Sequence, residues 1–141
     1  LYYYNSEHEA ATAWSHIYRS RGIRREYAAF IYTAEVRGVK QYFTGKTHAG
    51  MEKHGIIRAN VVIPFLFMYL IQSITERLKR NAKAAAFIHT HPAPPPGYTC
   101  RNHSSEDLFL LKLPGIQAVY VIPYENKEIN RAVKQRAKKK K

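Results

Sequence analysis

The sequence holds one cysteine, Cys100, so it cannot form an internal disulfide, and a disulfide-stapled extracellular scaffold is excluded. Long apolar runs are missing as well. The strongest, Val61 to Ile71, is far shorter than the roughly 20 residues needed to cross a bilayer, and Pro64 interrupts it. It is expected to be a core helix, and no transmembrane segment is expected. Acidic residues are scarce, 10 against 23 lysines and arginines, which leaves a formal net charge of +13. The excess is dense at the C-terminal end, where Arg131, Lys134, Arg136 and Lys138 precede the last lysines. Such a tail attracts polyanions: nucleic acid, an acidic protein or an anionic membrane surface. Neither an initiator Met nor the pattern of a signal peptide is present at Leu1, so the chain is expected to have been cut from something longer. Its 141 residues suit one domain with one core, expected over residues 1–130 and followed by a basic, flexible tail over 131–141.

The residues that carry chemistry lie in Ala86-Phe87-Ile88-His89-Thr90-His91-Pro92 and in Ser104-Ser105-Glu106-Asp107. Ala84 to Ile88 reads as a buried strand, and alternate side chains along a strand share a face. His89 and His91 should therefore point together while Thr90 points away. Ser104 opens an expected helix, which places Asp107 in its first turn as a third ligand. Zinc takes such ligands tetrahedrally, and three protein ligands leave a fourth position for a water whose pKa the metal lowers to about 7. The bland readings are a strand-end histidine pair and a plain helix cap.

Together these segments resemble the His-x-His-Pro and Ser-x-x-Asp signature of the JAB/JAMM, or MPN, metallopeptidases. Glu26-Tyr27-Ala28-Ala29-Phe30-Ile31-Tyr32 is similar to the family segment that carries a glutamate, and Ile116 to Tyr124 to the strand after the metal-binding helix. The resemblance implies a Zn²⁺ peptidase or isopeptidase acting on a protein or peptide, with His89, His91 and Asp107 as ligands. It implies Glu26 as the proton-transferring base, with Glu35 as its competitor, and Ser104 as a donor to the oxyanion. It also implies an α/β (α+β) fold, a mixed sheet flanked by helices with a layout like that of cytidine deaminases. Glu7-His8-Glu9-Ala10-Ala11 and Arg25-Glu26-Tyr27 look most like a bacterial branch found as C-terminal modules of secreted or contact-dependent toxins. For that branch an acidic immunity protein is the expected partner, and delivery into a target cell, with action in its cytoplasm, the expected location. The spacer between His91 and Ser104 departs from the usual family spacing and carries Pro94-Pro95-Pro96.

The remaining pattern fits such a domain. Ser6-Glu7-His8-Glu9 has the form of a capping box before Ala10, Ala13, Trp14 and Ile17 at helical spacing. Glu26 to Val36 and Val39 to Thr44 read as a hairpin around Arg37-Gly38. A polar loop is expected over Thr44 to Arg58, a helix from Pro64 to Lys83, a third helix from Ser105 to Leu113 stopped by Pro114-Gly115, and a strand over Ile116 to Ile122 with a turn at Glu125-Asn126-Lys127. His103 and Cys100 are expected in solvent, and His48 and His54 are not distinguished by their spacing. Two other classes compete. A metal-dependent nuclease is suggested by the charge, whereas a deaminase lacks its His-x-Glu and Pro-Cys-x-x-Cys ligands. A non-catalytic MPN-like binding module is the third.

Overall fold

The computed structural model describes residues 1–21, 26–49, 62–91, 108–123 and 129–133. Its elements, in chain order, are α1 (Glu7–Tyr18), β1 (Tyr27–Val36), β2 (Val39–Thr44), β3 (His48–Ala49), α2 (Val62–Arg80), β4 (Lys83–His91), a 3₁₀ turn (Leu110–Lys112), β5 (Ala118–Pro123) and β6 (Asn130–Val133). The strands form one mixed sheet in the order β2-β1-β4-β5-β6, with β3 also paired to β1. Among the described strands, only β4 and β5 run parallel. Helices cover both faces, so the expected mixed sheet flanked by helices is the observed architecture.

Local sequence explains most boundaries. Ser6 Oγ accepts from Glu9 N–H at 3.1 Å and caps α1, while the Glu9 carboxylate accepts from the Asn5 N–H, one residue earlier than a capping box requires. The hairpin turns at Arg37 and Gly38, both at positive φ (52° and 80°), which matches the two-residue turn that suits twisted strands. The helix expected over Pro64 to Lys83 instead spans Val62–Arg80: Asn81 takes φ 51°, which breaks the helix and releases Lys83 into β4. Leu108 and Phe109 are helical, and the chain then tightens into the 3₁₀ turn before Pro114.

Period-two burial sorts the core. Ala28, Phe30, Tyr32, Phe87 and Val119 share the face covered by α2, where Met68 of α2 and Leu110 of the 3₁₀ turn join the cluster. Ala29, Ile31, Ala86, Ile88, Tyr120 and Ile122 face α1, against Ala10, Ala11 and Trp14. The two faces stay in phase because β4 carries a β-bulge at Ala85, where its pairing with β1 shifts between Ile31 and Tyr32. The apolar run Val61 to Ile71 is not wholly core as expected, because Phe67, Leu70 and Ile71 project from α2 into solvent. No helix among the described residues is long and apolar enough to cross a membrane.

The expected boundary between domain and tail also moves. Residues 130–133 are β6, hydrogen-bonded to β5, so Arg131 belongs to the sheet. Its guanidinium donates to Tyr120 Oη (3.0 Å) and pairs with Glu7 of α1 (3.2 Å), and Tyr120 in turn donates to Glu7 at 2.7 Å.

Two predictions follow from this packing. A Cβ at Gly115, whose φ is +83°, would lie 2.8 Å from the Ala84 carbonyl oxygen. Gly115→Ala is expected to lower unfolding free energy by about 1–3 kcal/mol in urea titrations, through strain at a positive φ and a backbone clash. Burial, and then the Glu7 carboxylate, push the Tyr120 phenol well above its ordinary pKa of 10.0, against the opposing pull of Arg131. The unfolded chain therefore releases this proton first, so the contribution is intact below about pH 10 and is lost as pH rises beyond it. Tyr120→Phe should flatten the fall in melting temperature above pH 10.

Candidate metal centre

β4 is the strand that presents the histidine pair. It is paired with β5 through His91 and with β1 as far as His89, and His89 and His91, at 0% and 4% exposure, are among the few buried polar side chains of the described residues. Their Nε2 atoms face each other at 3.0 Å, and their rings meet edge to face with centroids 4.8 Å apart. Two imidazole nitrogens at this separation share one proton or converge on one cation. Two ligands at 2.0–2.1 Å from a tetrahedral zinc stand about 3.3 Å apart, close to the spacing of this imidazole pair, so these two donors are compatible with the ion. Phe87 stacks on His89 with centroids 5.1 Å apart, Phe30 packs on Phe87 and Tyr69 of α2 packs on Phe30. This aromatic row fixes the His89 ring and keeps water from its inner side.

Thr90 points the other way, as alternation requires. Its hydroxyl accepts the Tyr27 N–H at 2.9 Å, which fastens the start of β1 to the end of β4. The β1–β4 ladder ends with Ala28 opposite His89, and half-buried Glu26 lies two residues before Ala28, just outside β1. Glu35 lies nine residues along, about 30 Å away at the usual rise per residue, on the face opposite Ala28 and across from Lys40. Glu26 thus precedes the end of β1 that pairs with His89, and Glu35 lies at the far end.

β4 and β5 are parallel, with His91 in register with Pro123, so the chain leaves β4 at the histidine end and must cross over before β5. Asp107 and Ser104 fall on that connection and lie outside the described residues, as do Cys100, His103 and His54. Leu108 directly follows Asp107, and Leu110, two residues on, packs on the sheet face that carries His89 and His91. The described part of the connection therefore docks on the side of the histidine pair. Among the described residues alone, no three His, Cys, Asp or Glu side chains gather as a metal-binding group.

The register also brings in a residue that spacing had not distinguished. His48 pairs with Ala28, and Ala28 with His89, so His48, Ala28, His89 and Val121 form one row across the sheet. His48 stands two strands, or about 10 Å, from His89, with a small alanine between them. Its Nε2 lies 2.8 Å from Gln72 Nε2 of α2. Burial, and then the Lys46 ammonium, hold its pKa below the usual histidine value, so it is neutral at pH 7. Only strand pairing reveals this neighbour, because β3 is two residues long and has no readable period. Of the cationic candidates, Arg131 is engaged with Glu7 and Tyr120, and Lys134, Arg136 and Lys138 lie outside the described residues.

Thr90→Val keeps the shape of the side chain and strips the Tyr27 N–H of its acceptor. A stability loss of about 1–3 kcal/mol is expected in denaturant unfolding, with Thr90→Ser retaining most of the wild-type value. In comparisons with known proteins, no family model and no curated protein matches this sequence.

Proposed function

We propose that this chain is a zinc-dependent hydrolase of amide bonds, a peptidase or isopeptidase resembling the JAB/JAMM (MPN) metallopeptidases. The observation that carries the reading is the convergence of two buried Nε2 atoms, 3.0 Å apart, at the carboxyl end of a parallel strand pair. Ligands in α/β sheets commonly sit outside the carboxyl ends of such strands. Zinc held by His89, His91 and Asp107 would supply Lewis acidity and lower the pKa of a water to about 7.

The rest of the chemistry falls to the chain itself. Glu26, just before the end of β1 that pairs with His89, accepts the proton of the attacking water and delivers it to the leaving amine. Ser104 donates a hydrogen bond to the carbonyl oxygen as negative charge develops there. The aromatic row beneath His89 keeps the imidazole pair in place, which lowers the reorganisation needed at each turnover. By the same resemblance the chain is a toxin or effector module of a larger secreted bacterial protein, acting in the cytoplasm of its target and neutralised by an acidic immunity protein. The formal charge of +13 favours a second reading, a metal-dependent nuclease using the same centre.

Elemental analysis of the purified chain is expected to give one zinc per molecule, with His91→Ala and Asp107→Ala reduced to background while circular dichroism stays unchanged. Glu26→Gln should keep the metal and lose roughly 10²–10⁴-fold in hydrolysis of peptide and isopeptide substrates. A folded wild type that takes up no zinc would remove the proposal. Metal-dependent cleavage of RNA or DNA, with peptides left intact, would select the nuclease instead.

A further inference from the structure

Helix α2 is apolar on two sides. Its inner side is fixed to the domain by buried Met68, by Tyr69 Oη donating to the Pro114 carbonyl (2.6 Å) and by Gln72 donating to the Lys46 carbonyl (3.2 Å). Its outer side carries Phe67, Leu70, Ile71, Ile74 and Leu78, which are 61%, 54%, 63%, 60% and 82% exposed. At 3.6 residues per turn these five fall within about 100° of arc, directly opposite the inner face. Phe67, Ile71, Ile74 and Leu78 follow the alternating four-three-four spacing of a coiled-coil seam.

We infer that this stripe is covered by the same stripe of a second copy of the chain, packed antiparallel about a twofold axis between Ile71 and Ile74. In that arrangement Ile71 meets the partner's Ile74, and Phe67 meets the partner's Leu78.

Area supports the occupant. The five side chains present roughly 600 Å² per copy, at the upper end of what a monomer leaves exposed in one apolar patch. Two such faces bury roughly 1,200 Å², enough for a specific dimer. The inner contacts already hold α2 in place, so pairing costs little ordering of the backbone.

Charge sets the direction. Arg77, Lys79 and Arg80 lie in the last turn, and the first turn has no acidic residue to meet them. Parallel packing would set identical cations side by side. Antiparallel packing separates the two copies of Arg77 by about 13 Å along the axis, beyond a Debye length of about 8 Å, and opposes the helix dipoles. Two copies of a +13 chain still repel at long range, so salt should strengthen this association. Binding to nucleic acid or to an anionic membrane has the opposite salt dependence.

Sedimentation velocity of the full chain between 1 and 100 μM tests the inference. The wild type is expected to be dimeric at 0.15 M NaCl and to dimerise more tightly at 0.5 M. Ile71→Lys and Ile74→Glu should each weaken dimerisation by about 100-fold or more, with unchanged circular dichroism because both side chains are exposed in the single copy, and with a melting temperature that no longer rises with protein concentration as the wild type's does. Mixing the two variants should restore part of the dimer, since the antiparallel register sets the new cation against the new anion. The inference is overturned by a wild type that stays monomeric at 100 μM, or by single variants as dimeric as the wild type. Association seen only on phosphatidylserine vesicles and weakened by salt would overturn it in favour of a membrane.

Discussion

Hydrogen bonds along both edges of β4 fix where everything else in the molecule sits. On one side β4 pairs antiparallel with β1, the long arm of a local hairpin, and on the other it pairs parallel with β5. A parallel neighbour cannot be reached by a tight turn, so the chain must leave β4, cross a face of the sheet and return. That requirement places the departure point at His91 and the return at Gly115 to Gln117, with Leu110 packed on the sheet between them. The histidine pair therefore occupies the end of a central strand, where the ladder to β5 continues through His91 and the side chains are shielded, and where the connection carrying Ser104 and Asp107 begins. A pair on an edge strand would keep more water and more freedom of rotation.

The two helices answer different needs. α1 covers its face with small residues, Ala10 and Ala11, and one large one, Trp14, whose indole N–H donates to Thr47 Oγ1 at 3.0 Å and so anchors the stretch leading to β3. α2 covers the face that carries the histidines and has apolar side chains left over. A helix apolar on both sides gains from being sandwiched, and here the sheet supplies one side only. The face that shields the candidate chemistry is thus also the face through which the domain has most to gain from association.

Much of the architecture was legible because it is locally encoded. Arg37-Gly38 can be recognised from the turn chemistry a hairpin demands, Ser6 from capping and the shared orientation of His89 and His91 from strand alternation. What escaped was encoded in pairing between distant segments. The two residues of β3 and the four of β6 are too short to show a period, and Arg131 reads as part of a basic tail until β5 is seen beside it. The end of α2 was placed three residues late because Asn81, where the chain turns left-handed, gives a weaker stop signal than glycine. The stretch Val61 to Ile71 looked like core because hydropathy reports the total of apolar residues and not which side of a helix has a neighbour. For the site, residue type and spacing singled out the imidazole pair, whereas the distance of Glu35 from the histidines, at the far end of β1, is seen only from the register of β1 against β4.

The bulge at Ala85 has a bearing on how this strand tolerates change. Its carbonyl is taken by the Gln117 N–H at 2.8 Å, and Gly115 lies close to the preceding carbonyl of Ala84, so the returning chain is moored at the one place where β4 and β1 fall out of step. The irregularity divides β4 into two independently registered halves. Sliding or remodelling of the Lys83 end can be taken up at Ala85 without being transmitted to the other half, while a one-residue insertion or deletion between Ala86 and His89 would turn both imidazoles to the α1 side of the sheet. The strand behaves as a joint with one slipping segment and one locked segment, and the histidines ride on the locked one.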